Sequence, residues 1–198
     1  MAPQCFPLPL DIGRRIAVVG ATGSGKTAFA RRLAGSIGVD AIELDELFWL
    51  PDWVSRPRKE FRVSVGEALD ARPDGWVSDG NYNSSLGDLV VGRADTLIWL
   101  HLPWRVSFWR VFKRCVSRAR TREPMWTAEN RESWRRSFLA RDSILLWSLT
   151  HHRAVARSVR GRIARLPATT ALIELRSSRQ VEAFLRAVAA ARALEPQR

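Results

Sequence analysis

The chain has 198 residues, 46% of them hydrophobic and 26% charged, which suits one compact domain and excludes a disordered or collagen-like chain. Its net charge of +12 sits in one segment: residues 104–165 hold 16 Arg or Lys against 4 Asp or Glu, and the rest holds 16 of each. Such a stretch needs an anionic partner or bears its own repulsion in solvent.

Residues 1–13 read as a flexible arm, Pro-rich over the first nine, and carry no signal-like apolar stretch. Ile16–Val19 is a short β-branched run ending in Gly20, a buried strand. Phe29, Leu33 and Ile37 then recur at helical spacing until Gly38 stops the helix. Val39–Leu44 reads as a second strand with Asp45 at its carboxyl end. Residues 46–56 are aromatic and Pro-broken, which predicts a loop, and Pro57 opens a helix with Phe61, Val65, Ala68 and Leu69 on its apolar face. Trp76–Ser78 forms a third strand that delivers Asp79 and Gly80, and Thr96–Leu100 a fourth.

Pro103 introduces a helix with Phe108, Phe112, Cys115 and Ala119 on one face and Arg110, Arg114 and Arg118 on another. A long helix is expected over 128–150, with basic helix or loop to Arg165. Ala171–Leu175 is the fifth strand and Val181–Leu194 the closing helix. Strands alternating with helices predict a three-layer α/β fold around a parallel sheet, with ligands at the strand carboxyl ends.

The pattern Gly20-Ala21-Thr22-Gly23-Ser24-Gly25-Lys26-Thr27 is a phosphate loop, placed between an apolar strand and an amphipathic helix as its mechanism requires. Its glycines let successive N–H groups, through Ala28 in the first helical turn, face phosphate oxygens. Lys26 adds a mobile charge, and Thr27 offers its hydroxyl to magnesium. The cofactors implied are ATP and Mg²⁺. A second carboxylate is required, and Glu43, Asp45 and Asp79 are the candidates. Asp79 is preferred, for water-held magnesium or for accepting a substrate proton, with Gly80 permitting close approach of substrate. Asp45 is assigned to substrate contact, with Trp49 and Trp53 placed to stack on a planar substrate, and Asn81 and Tyr82 beside them.

Charge on a migrating phosphoryl group must be offset from the side opposite the loop, which nominates Arg114, Arg118, Arg120 and Arg122, then Arg153, in a mobile lid over 104–165. Most of the nine tryptophans, among them Trp99, Trp104 and Trp109, read as core. His101 reads as a hydrogen-bonded interior or rim residue. Two cysteines, Cys5 and Cys115, exclude a disulfide framework, and no run reaches the ~20 apolar residues of a spanning helix. A cytoplasmic protein with no membrane partner is the expectation.

The phosphate loop, the Glu43-Leu44-Asp45 strand end with its Phe-Trp-Leu-Pro-Asp-Trp continuation, the Trp76–Tyr82 block, the Ala94–Pro103 strand and the Arg-rich helix after it resemble the small adenylate-kinase-like topology modulation proteins. The likeness runs from about residue 14 to 188. It implies a nucleoside-monophosphate-kinase-like P-loop NTPase fold with five parallel strands, a substrate-binding insertion at 46–72 and an Arg-rich helical lid. By position it implies Gly20, Gly25, Lys26 and Thr27 on ATP and magnesium, Asp45 and Asp79 in the cleft, and Arg114, Arg118, Arg122 and Arg153 in the lid. Many relatives carry Asp where this chain has His101. The function implied is an ATP-dependent phosphotransferase acting on a nucleotide or another small acceptor. The alternative is an ATP-binding protein with little kinase activity, regulatory or associated with nucleic acid through residues 104–165.

Overall fold

The computed structural model describes residues 12–121 and 144–194. Five strands make one parallel sheet: β1 (Arg15–Gly20), β2 (Asp40–Glu43), β3 (Trp76–Asp79), β4 (Thr96–Leu100) and β5 (Ala171–Leu175), in the order β2-β3-β1-β4-β5. The helices are α1 (Lys26–Ile37), α2 (Leu44–Phe48), α3 (Arg58–Asp70), α4 (Asn83–Leu86), α5 (Trp104–Thr121), α6 (Ile144–Ile163) and α7 (Ser178–Leu194).

Period-two alternation in the strands sorts the core into two layers. Ile16, Val18, Ile98 and Leu100 point to one face, where Phe29 and Leu33 of α1 and Phe184 of α7 cover them. Ala17, Val19, Leu97 and Trp99 point to the other, under Phe61, Val65 and Leu69 of α3 and Ala156 and Val159 of α6. Strands covered on both faces need continuous apolar runs, which is why β1 and β4 read so clearly in the sequence. Each fully buried Phe or Leu in these layers contributes roughly 2–3 kcal/mol. With β1 between β3 and β4, Val18 pairs with Asp79 and Gly20 with Leu100, so the ends of three strands adjoin along one edge.

Several features differ from the sequence reading. β2 ends at Glu43, and Asp45 lies in the first turn of α2, inside the stretch expected to be loop. A turn of 3-10 helix at Pro51–Trp53 follows, with Asp52 and Trp53 both at positive φ. The sixth helix runs to Ile163, within the helix or loop expected as far as Arg165, while most of the helix expected over 128–150 falls outside the described residues. In α5 the buried stripe is Ser107, Val111 and Cys115, whereas Phe108 and Phe112 are only half-buried. The reason is the phosphate loop, against which this stripe packs. A Cβ at Gly23 would come within 2.2 Å of Ser107 O and 2.5 Å of the Val111 side chain. Trp104 and Trp109, expected in the core, are exposed: Trp109 faces away from that stripe, and Trp104 stands at the first position of the helix.

Candidate phosphate-binding and acceptor site

The loop Gly20–Gly25 joins β1 to α1, and its glycines take conformations closed to other residues: φ is 79° at Gly23 and 91° at Gly25. Ser24 N donates to Ala21 O at 3.0 Å, closing the turn. The N-terminus of α1 has no side-chain cap and no acidic residue in its first turn. Its orphan amides, at Lys26, Thr27 and Ala28, are thus left for an external anion, with the helix dipole behind them. Lys26 Nζ donates to Gly20 O at 3.0 Å and Ala21 O at 3.2 Å. Burial lowers the Lys26 pKa and the Arg114 charge adds to that, while Asp45 and Asp79 oppose it.

The three candidate carboxylates separate by partner. Glu43 is engaged by Arg31. Asp45 is exposed and accepts from Tyr82 OH at 2.6 Å. Asp79 is buried at the end of β3 and accepts from Thr27 Oγ1 at 2.5 Å. Burial pushes the Asp79 carboxyl up to about 6 against the opposing effects of the Thr27 hydrogen bond and Lys26, with Asp45 and Glu43 adding to the rise. Tyr82 is also raised, by burial first and then by Asp45. Asn81 is a latch: its Oδ1 accepts from Gly20 N at 3.1 Å and its Nδ2 donates to Gly20 O at 2.5 Å. That ties the β3 end to the loop rather than leaving Asn81 as a free substrate contact.

The sequence reading gives Gly80 the role of admitting substrate. Instead a Cβ there would meet Leu44 at 3.0 Å and Tyr82 at 3.2 Å, so glycine lets the chain turn beneath α2 at φ 148°. Trp49 and Trp53 form an aromatic cluster. Their rings lie 5.7 Å apart, Phe48 stands 4.9 Å from Trp49, and Phe48 is in turn 4.6 Å from Tyr82. The cluster fixes the Tyr82 ring beside Asp45, and Trp49 is further held by a bridge to Ser55.

Of the arginines named from sequence, Arg114 lies close enough to Lys26 to act on its charge. Arg153 is exposed on α6. The Arg118 side chain, and Arg120 and Arg122, lie outside what the structure describes. Sequence reasoning missed Arg110 as a site residue. It donates to Ser24 O at 3.0 Å and to Ser178 Oγ at 2.9 Å, clamping the loop to the start of α7. Its position one turn before Arg114 on the same face was the available signal. His101 accords with its reading: Nδ1 contacts Glu174 Oε1 at 2.5 Å, and the ring stacks on Trp99 at 4.0 Å.

Among the described residues no group of three or more His, Cys, Asp and Glu is placed to hold a metal ion, and no helix is long and apolar enough to cross a membrane. The Thr27 hydroxyl beside the Asp79 carboxylate is nonetheless a hard-oxygen pair of the kind magnesium takes when phosphate oxygens supply further ligands. The residues present therefore fit both a polyphosphate and its cation.

No protein-family model matches the chain, and no curated protein matches it in sequence. Similarity to solved structures lies in the fold. A shikimate kinase from Acinetobacter baumannii in complex with shikimate aligns with a TM-score of 0.53 at 13% identity, over 93% of this chain and 96% of that one. An unliganded sugar kinase from Janibacter sp. HTCC2649 aligns with a TM-score of 0.51 at 18% identity, over 93% of this chain and 99% of that one. The chain has the α/β fold of small P-loop kinases. Five parallel strands and a phosphate loop after the first of them are the features that define it.

Proposed function

We propose that this protein is an ATP- and magnesium-dependent kinase, adenylate-kinase-like in layout, that transfers the γ-phosphate to a nucleotide or another small acceptor. One observation carries the reading: the uncapped start of α1, with Lys26 curled over the loop and Thr27 paired to a buried Asp79. The loop amides and Lys26 bind the β- and γ-phosphates, with Lys26 moving from the loop carbonyls to the phosphate oxygens. Thr27 and Asp79 are the residues that would hold magnesium, which when bound offsets phosphate charge. Asp79 is ionised at neutral pH, since about 6 is its midpoint. It is then competent either for that contact or for taking the proton of an acceptor hydroxyl. Asp45, held by Tyr82, orients the acceptor, and Arg114 adds positive charge next to Lys26.

The test is acceptor-dependent ADP release from Mg·ATP across a panel of nucleoside monophosphates, hydroxy acids, sugars and polyols. Stimulation by one class, lost in Lys26→Ala, is the expected result. Tight ATP binding with no acceptor-stimulated release would transfer support to the regulatory alternative.

A further inference from the structure

Among the described residues, Asp52 and Trp53 are the only non-glycine positions with positive φ, at 58° and 61°. Left-handed backbone is familiar for Asp, whose short side chain bonds nearby backbone, but for an indole it is an outlier. The two residues form the tip of a tight hairpin. Leu50 N donates to Val54 O at 2.8 Å, Val54 N to Pro51 O at 3.3 Å and Arg56 N to Phe48 O at 2.8 Å. No residue of Pro51–Trp53 is buried, and the adjoining Val54 is exposed, so the core does not force the tip into this shape. The Trp53 ring is half-buried and meets Trp49 edge-on at 5.7 Å. Such a contact returns about what the left-handed backbone costs, so it does not by itself explain a tryptophan where glycine or asparagine fits without strain.

The hairpin follows directly from α2. Trp49 N donates to Asp45 O at 3.1 Å, which sets the two residues one helical turn apart on the same face. Along that face come the exposed Asp45 carboxylate, the Trp49 ring and then the Trp53 ring. One turn separates the Asp45 and Trp49 Cβ atoms by roughly 6 Å, and Trp53 lies a further 5.7 Å from Trp49, ring to ring. The span suits a molecule whose reacting end lies at Asp45 and whose other end carries a ring.

We infer that Trp53 is a specificity-determining residue of the acceptor site, its indole stacking on a flat ring of the acceptor while Asp45 holds the reacting end. The acceptor is then a compound with a planar π-face and not an open-chain polyol. This rests on the kinase reading of the adjoining site. A tip strained in the free chain has its ring already in place, so little further ordering is needed on binding. Tryptophan suits the task because it offers a large, rigid stacking surface.

Labelling with 5-fluorotryptophan gives a ¹⁹F resonance for each of the nine tryptophans, and that of Trp53 is identified by its loss in Trp53→Phe. With the phosphate loop saturated by a nonhydrolysable ATP analogue and magnesium, at least one of adenosine, cytidine and nicotinate is expected to shift the Trp53 resonance saturably, and glycerol and sorbitol are not. Isothermal titration of that compound then compares variants. Trp53→Asn, which suits left-handed backbone but has no ring, should bind it at least ~5-fold more weakly, as for loss of one base–aromatic stack. Trp53→Phe, which keeps a ring, should lose much less, and both should retain wild-type affinity for the ATP analogue. Should Trp53→Asn fail to fold, Trp53→Leu, apolar but without a π-face, decides by the same loss. No shift with any flat-ring compound, or equal affinity in wild type and the ringless variant, assigns Trp53 to packing within the hairpin and overturns the inference. A Trp53-dependent response with no ADP release from any acceptor would leave the stacking site standing and remove the kinase reading. ADP release driven by polyols alone, and unchanged in Trp53→Asn, would do the reverse.

Discussion

Replacing Asp79 with Asn should stabilise the protein above pH 6 while removing its magnesium-dependent turnover. In the folded chain the carboxyl titrates at about 6, raised from 3.8 chiefly by burial. Below pH 3.8 both folded and unfolded chains hold the proton, and stability is complete. Between 3.8 and about 6 the unfolded chain ionises while the folded one does not, so stability falls by about 1.36 kcal/mol per pH unit. Above about 6 the fall levels off, for a total of about 3 kcal/mol. Asn keeps an acceptor for the Thr27 hydroxyl but has no charge to desolvate. Its advantage over wild type should therefore be small at pH 4 and reach about 3 kcal/mol by pH 7–8, on the order of 10 °C in Tm for a chain this size. Urea unfolding followed by tryptophan fluorescence across pH 4–8 reads the difference directly. Parallel pH profiles for the two proteins would refute the claim that Asp79 is buried and strained in favour of function.

Gly23→Ala would place a Cβ 2.2 Å from Ser107 O at a φ of 79°. A loss of at least ~2 kcal/mol in urea unfolding is expected, from overpacking and left-handed strain together. Tyr82→Phe removes the bond to Asp45. In the acceptor assay it should raise KM for the acceptor about 3- to 10-fold, the equivalent of one hydrogen bond, with KM for ATP unchanged. Turnover in wild type should rise as pH passes about 6, because ionised Asp79 is the active form. A rate independent of pH between 5 and 8 would count against that role.

The sheet was legible because β1 and β4 are covered on both faces and so appear as unbroken apolar runs. The phosphate loop was legible because its glycines and Lys26 occupy fixed local spacing. What escaped depends on packing between distant segments. The buried face of α5 is set by Gly23, more than 80 residues away, and Phe108 and Phe112 outweigh Ser107 in any hydrophobicity pattern. Asp45 moved from a strand end into α2 because β2 stops one residue early, a shift local pattern does not resolve. Gly80 shows that a glycine beside a site can serve chain packing instead of ligand approach. The left-handed turn at Trp53 was not legible, because no glycine marks it.

Isothermal titration of wild type and Lys26→Ala with a nonhydrolysable ATP analogue and magnesium bears most directly on the loop at the start of α1. Saturable one-to-one binding by wild type, weakened roughly 10- to 100-fold in Lys26→Ala with an unchanged melting curve, is the outcome the charge-assisted contact predicts. No binding by wild type, or equal affinity in the two proteins, would contradict the assignment of this loop to a polyphosphate.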